Sequence, residues 1–161
     1  MSDLLKPSLD DTSSGKPIYS AQAAFFVAFF GGPFAVTIFT ALNSKILGRF
    51  EKEKMIFVGI GLGLVCAYSY MIYSLLLEYD VIGNLGEFLK SVRKRPEIRY
   101  GGRIAGVILW GVYYQMHKKY HRAMELFGTE PPSPWNAGLT AAAIDFAIGA
   151  GIFFFILYVV M

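Results

Sequence analysis

The sequence holds one cysteine, Cys66, set inside an apolar run. A single thiol excludes an intrachain disulfide and any thiolate-rich metal site, and its setting reads as a small buried hydrophobe. Charge is scarce too: 17% of residues are charged, and 15 basic against 12 acidic residues leave a net of +3. No basic run is dense enough for a nucleic-acid surface, and no aromatic–basic platform occurs, so no nucleic-acid partner is expected. Catalytic motifs are missing as well. There is no G-x-S-x-G, no P-loop and no G-x-G-x-x-G; Gly59, Gly61 and Gly63 have the wrong spacing. With no nucleophile arrangement, neither enzymatic activity nor a cofactor is expected. The first twenty residues carry Asp3, Asp10 and Asp11 beside only Lys6 and Lys16, and the apolar block behind them is too long for a signal-peptide core. That block is therefore expected to stay in the mature protein.

What the chain has is apolar length. Hydrophobic residues make up 55% of it, and the mean hydropathy is +0.46. They come in blocks rather than stripes, and a helix buried in lipid needs about 20 mostly apolar residues. The expected fold is all-α: a polytopic membrane protein with a four-transmembrane-helix bundle. The spans fall at 21–43, 55–77, 100–117 and 138–160, in one domain over 21–161 behind a flexible tail over 1–20. Four spans would put both ends of the chain on one side. Eight Lys and Arg residues then fall on one face and seven on the other, which leaves the orientation open.

The first span carries Gly31, Gly32 and Pro33 at its centre. Proline removes a backbone bond and crowds the preceding turn, so a kinked helix is expected there, either as a hinge or as a packing device. In lipid the freed backbone needs a polar neighbour, and Thr37 and Thr40 are at hand. Gly59 and Gly63 in the second span, Gly102 and Gly106 in the third, and Ala147 and Gly151 in the fourth repeat small residues at four-residue steps. Such faces let helix backbones approach closely. Between the second and third spans, Ile82, Leu85, Phe88, Leu89 and Val92 recur at helical spacing, with Lys90, Arg93, Lys94 and Arg95 on other faces. That pattern fits a short basic helix on an anionic lipid surface, or a solvated loop.

Asp145 is the sharpest candidate for chemistry. An acid near the middle of a membrane helix costs about 2.5–3.5 kcal/mol and so needs a reason, either a proton or cation site or a structural hydrogen bond. His117, His121 and Glu125 share one helical face at metal-ligand spacing. The glutamate of H-E-x-x-H is missing and Lys118 and Arg122 crowd the face with positive charge, so no metal is expected.

The stretch Gly31–Arg49, through Gly31, Gly32, Pro33, Asn43, Leu47, Gly48 and Arg49, resembles a family of uncharacterised small bacterial four-helix membrane proteins. In these, a Gly-Gly-Pro in the first helix precedes an Asn and a Leu-Gly-Arg turn. The resemblance spans about nineteen residues. It implies a multi-pass protein of the bacterial inner (cell) membrane and brings no activity or site. The expected function is non-enzymatic: helix–helix association in the lipid bilayer, as a homo-oligomer or as a subunit or accessory of a membrane complex. The alternatives are an ion- or proton-coupled channel or transporter component using Asp145, and an immunity protein against a pore-forming toxin.

Overall fold

A computed structural model describes residues 17–78, 90, 94–126, 128 and 130–160, with the side chains of 97–99 and 160 undescribed. Among the described residues the chain is all-α, with five helices and no strand. They are α1 (Ala21–Gly31), α2 (Pro33–Ile46), α3 (Phe50–Glu78), α4 (Pro96–Leu126) and α5 (Trp135–Val160).

The first apolar segment is not one kinked helix. A straight helix would put Tyr19 and Asn43 roughly 36 Å apart at 1.5 Å per residue. Instead the Tyr19 N–H donates to Asn43 Oδ1 at 2.9 Å, and Asn43 Nδ2 donates to the Tyr19 carbonyl at 3.3 Å. Tyr19 also packs its ring against Phe39, with centroids 4.8 Å apart. The segment folds back on itself as an antiparallel helical hairpin. The turn is made by Gly32 alone, at φ 94° and ψ −172°, a conformation open essentially to glycine only. Pro33 starts α2 at a position where its missing N–H costs nothing and its fixed φ suits the helix. The Gly-Gly-Pro therefore does more than kink: it reverses the chain.

This corrects the expectation of four spans. Among the described residues only α3 and α5 are long and apolar enough, by length and composition, to cross a membrane. The first segment fails because Gly32 cuts it into pieces of 11 and 14 residues. The third, α4, has 31 residues, but charge at both ends shortens its apolar part to Ile104–His117.

The hairpin is the core of the molecule. α2 packs against each of the other four helices, and Pro33, Ala35, Val36, Phe39, Asn43 and Ser44 along it are fully buried. One cluster joins Ala23, Ala24, Ala35 and Phe39 of the hairpin to Ala141 of α5. Another joins Ala28 and Val36 to Phe57 of α3 and Tyr113 of α4. Residues 17–20 belong to this core rather than to a loose tail, since Ile18 is 1% exposed and Ser20 caps α1 by accepting the Ala23 N–H at 3.1 Å.

Paired contacts fix the directions. Glu53 meets His117, Phe57 meets Tyr113, and Tyr68 meets Gly102, so α3 and α4 run antiparallel. Ile72, Leu75 and Leu76 of α3 cluster with Ile156 of α5, so these two run parallel. The open ends of the hairpin, the start of α3, the end of α4 and the start of α5 all lie at one end of the molecule, the base. Beyond the turn of the hairpin, α3 and α5 continue together to the far end.

Candidate functional site

Two polar regions lie along the hairpin, one at its turn and one at its base. At the turn, α2 begins with backbone N–H groups that no preceding helical turn can satisfy. Asp145, ten residues into α5, answers them: its Oδ1 accepts the N–H of Phe34 at 2.9 Å and of Ala35 at 3.1 Å. A carboxylate at a helix N-terminus also faces the positive end of the helix dipole. The two features singled out in the sequence, the Gly-Gly-Pro and Asp145, thus form one structure. Gly32 lies against the same carboxylate, and a Cβ on it would meet Asp145 Oδ2 at 3.1 Å. The start of α2 is completed by Thr37, whose hydroxyl donates to the Pro33 carbonyl at 2.8 Å and accepts from Tyr113 OH at 2.9 Å.

The glycines divide into two groups. Gly31 packs on Ala142, Gly102 on the Tyr68 hydroxyl, and Gly106 directly on the backbone of α1, where an added Cβ would lie 2.4 Å from the Ala28 carbonyl oxygen. By contrast Gly59, Gly63 and Gly151 have open space where a Cβ would go, and Ala147 is exposed. Cys66, read as a buried hydrophobe, is exposed on α3 as well.

At the base the chain buries an ionic cluster that sequence reasoning did not assemble. Glu53 is 4% exposed and His117 1%. His117 Nε2 lies 2.9 Å from Glu53 Oε2, the Ser44 hydroxyl donates to the same oxygen at 2.7 Å, and Arg49 Nε pairs with Glu53 Oε1 at 2.8 Å. Arg49 Nη1 in turn donates to Tyr120 OH at 2.9 Å. A buried carboxylate is tolerable only when its lone pairs are filled in this way. The signal in the sequence is slight: Glu53 sits in a charged stretch, the first turn of α3, beside Glu51 and Lys54, which are exposed and pair with each other.

His117 and His121 both face inward on α4, whereas Glu125, four residues on, is exposed. Among the described residues no three His, Cys, Asp or Glu side chains converge in a way that would hold a metal ion. Burial, with a smaller contribution from His117, lowers His121 to about 4. Of the four basic residues assigned to a lipid surface, Lys90 and Lys94 are helical and exposed, Arg95 pairs with Glu78, and Arg93 lies outside the described residues. The apolar positions of that segment, 82–92, lie outside them too. An apolar groove of about 500 Å³ runs between α1 and the start of α5, lined by Phe26, Phe30, Trp135 and Leu139. Comparison with known proteins finds no family model, no curated protein and no solved structure that matches the chain.

Proposed function

We propose that this is a non-enzymatic integral membrane protein that works through helix–helix association. In this reading α3 and α5 cross the bilayer, α4 crosses back between them with Arg103 snorkelling to the interface to extend its short apolar part, and the α1–α2 hairpin enters and leaves from the base side. Non-helical backbone at membrane depth is tolerated only where protein covers it or water lines it. The covering of Gly32 by Asp145 and Gly106 supports such a re-entrant placement. The hairpin helices are about 16 and 21 Å long, so their turn would lie near the middle of a hydrocarbon core of about 30 Å. Exposed Met55, Leu62, Ile108, Phe146 and Phe155 would then face lipid.

Three crossings put the two ends of the chain on opposite sides, unlike four. Lys6, Lys16, Lys45, Arg49, Lys52, Lys54, Lys118, Lys119 and Arg122 then share the base side, nine against six for the other. The positive-inside rule makes the base cytoplasmic. A bacterial inner membrane is the setting that the Gly31–Arg49 resemblance implies, with Lys90, Arg93, Lys94 and Arg95 near the opposite lipid surface.

The observation that carries association is the open stripe on α3. Gly59, Gly63, Cys66 and Tyr70 fall within about 60° of arc at 100° per residue, all exposed. Small residues on a membrane helix favour close approach of another helix, and no helix among the described residues takes that place at Gly59 or Gly63. Mild oxidation of native membranes should link Cys66 to the partner. A product of twice the mass supports a homo-oligomer, and one of another mass supports a foreign subunit. Gly63→Leu should abolish either product. Absence of any Cys66-dependent product, or a product unchanged by Gly63→Leu, contradicts association through this face.

The hairpin favours a second reading, an ion- or proton-coupled channel or transporter component. Half-helix N-termini near mid-membrane mark substrate sites in many transporters, and that of α2 meets Asp145. Such a protein would give pH-dependent flux in liposomes, lost in Asp145→Asn while the fold survives. No flux from the wild type ends this reading.

A further inference from the structure

The base carries more positive charge than it pairs. Glu51 takes up Lys54, and Glu53 takes up Arg49. Lys45, Lys52, Lys119 and Arg122 are exposed there and make no ion pair among the described residues. The exposed acids Glu125 and Glu130 lie farther along, at the end of α4 and in the connection to α5.

Three of these cations gather around Arg49. The turn from α2 to α3 is tight: the Gly48 N–H donates to the Lys45 carbonyl at 3.1 Å, and the Lys52 N–H to the Arg49 carbonyl at 2.9 Å. Arg49 Nη1 donates to Tyr120 OH at 2.9 Å, which brings the next residue of α4, Lys119, to the same corner. Arg49 itself is held in place. Its Nε pairs with Glu53 Oε1 at 2.8 Å, and its guanidinium carbon lies 5.4 Å from the centre of the Tyr120 ring. The side chain is still 33% exposed, and Nη2 has no partner among the described residues. A guanidinium fixed through two nitrogens presents the third as an oriented donor, which suits a phosphate oxygen.

The same corner is the rim of the apolar surface. Leu42 is exposed one turn before Lys45, and Met55 is exposed one turn after Lys52. A soluble acidic protein would match only the charge. A phospholipid matches both, its headgroup at the cations and its chains about 5 Å deeper, one helical turn on.

We propose that this corner binds the headgroup phosphate of an anionic phospholipid in the base-side leaflet, with Arg49 Nη2 as the fixed donor and Lys45, Lys52 and Lys119 as the surrounding charge. The site rests on the membrane placement above, and on neither the association face nor Asp145.

The test uses the full chain in phosphatidylcholine vesicles with a trace of spin-labelled phosphatidylglycerol or spin-labelled phosphatidylcholine. The fraction of each label slowed by the protein gives their relative association. One basic residue near the surface favours an anionic lipid about fivefold, so phosphatidylglycerol should be preferred by at least that factor at low salt. Lys45→Gln combined with Lys52→Gln should keep the melting point, since both side chains are exposed and unpaired, and should bring the preference below about twofold. Lys90→Gln combined with Lys94→Gln, at the other end of the molecule, should leave it unchanged. Equal association of the two labels, a preference that survives loss of Lys45 and Lys52, or one lost with Lys90 and Lys94 instead would overturn the proposal. Carbonate washing of native membranes separates the two levels. A chain that washes off overturns the membrane placement and this site with it, whereas a chain that stays embedded but shows no lipid preference overturns the site alone.

Discussion

At Asp145 one oxygen receives two backbone N–H groups from a helix 111 and 110 residues away in sequence. Removing it leaves both donors buried at the turn, each costing about 1–3 kcal/mol. Asp145→Ala should therefore lower the thermal midpoint in detergent far more than Asp145→Asn, whose amide oxygen can still accept both. Equal losses would mean that charge, not capping, is what matters there. Gly32→Ala should cost about 1–3 kcal/mol from backbone strain at φ 94°. The glycines of α4 and α3 grade in the same way. Gly106→Ala drives a methyl into the Ala28 carbonyl, Gly102→Ala meets only the movable Tyr68 hydroxyl, and Gly59→Ala meets nothing. Thermal stability should fall in that order, and Gly59→Ala should be neutral or slightly stabilising for the isolated chain. His121 gives a pH dependence with a definite sign. Its folded value of about 4 lies below its ordinary value of 6.5. The unfolded chain therefore takes up a proton that the folded protein refuses, and stability falls as pH drops from 6.5 toward 4. The loss should reach at most about 3 kcal/mol and vanish in His121→Gln. A melting point flat over that window would contradict the burial of a neutral His121.

The elements show what a sequence can and cannot disclose. Apolar length gave α3 and α5 almost to their ends, because about 20 apolar residues leave few alternatives to a helix in lipid or core. The same test misled at the first segment. Twenty-three uncharged residues at 21–43 satisfy a spanning helix and a helical hairpin equally well. What decides between them is a single backbone conformation at Gly32 and a bond from Tyr19 to Asn43, neither of which has a periodicity. Asp145 was legible as too costly to be idle, but its partner was not, since nothing in the spacing ties residue 145 to residues 34 and 35. The Glu53–His117 pair was hidden differently. Glu53 stands among exposed charges that look alike in sequence, and only the fold turns it inward. The hairpin itself has a direct test at this scale. Asn43→Leu keeps the number and branching of side-chain heavy atoms but removes both bonds to Tyr19, so the two arms should separate at the base. A spin-label pair at Ala21 and Leu42 should broaden to longer distances in the variant, and an unchanged distribution would mean that packing alone closes the hairpin.

Over the whole molecule, one hairpin organises everything else: α3, α4 and α5 surround it, the Gly-Gly-Pro turns it, Asp145 holds its tip and the ionic cluster sits at its base. The proposed membrane placement follows from that geometry, and its clearest consequence is parity. A hairpin that enters and leaves on one side, followed by three crossings, separates the two ends of the chain; four crossings would bring them together. The most direct measurement is labelling of sealed, oriented membrane vesicles with a membrane-impermeant thiol reagent, using Pro17→Cys and Tyr158→Cys separately in a Cys66→Ser background. The account predicts labelling of the two sites from opposite sides, with residue 17 on the cytoplasmic face. Labelling of both from the same side would contradict the re-entrant hairpin.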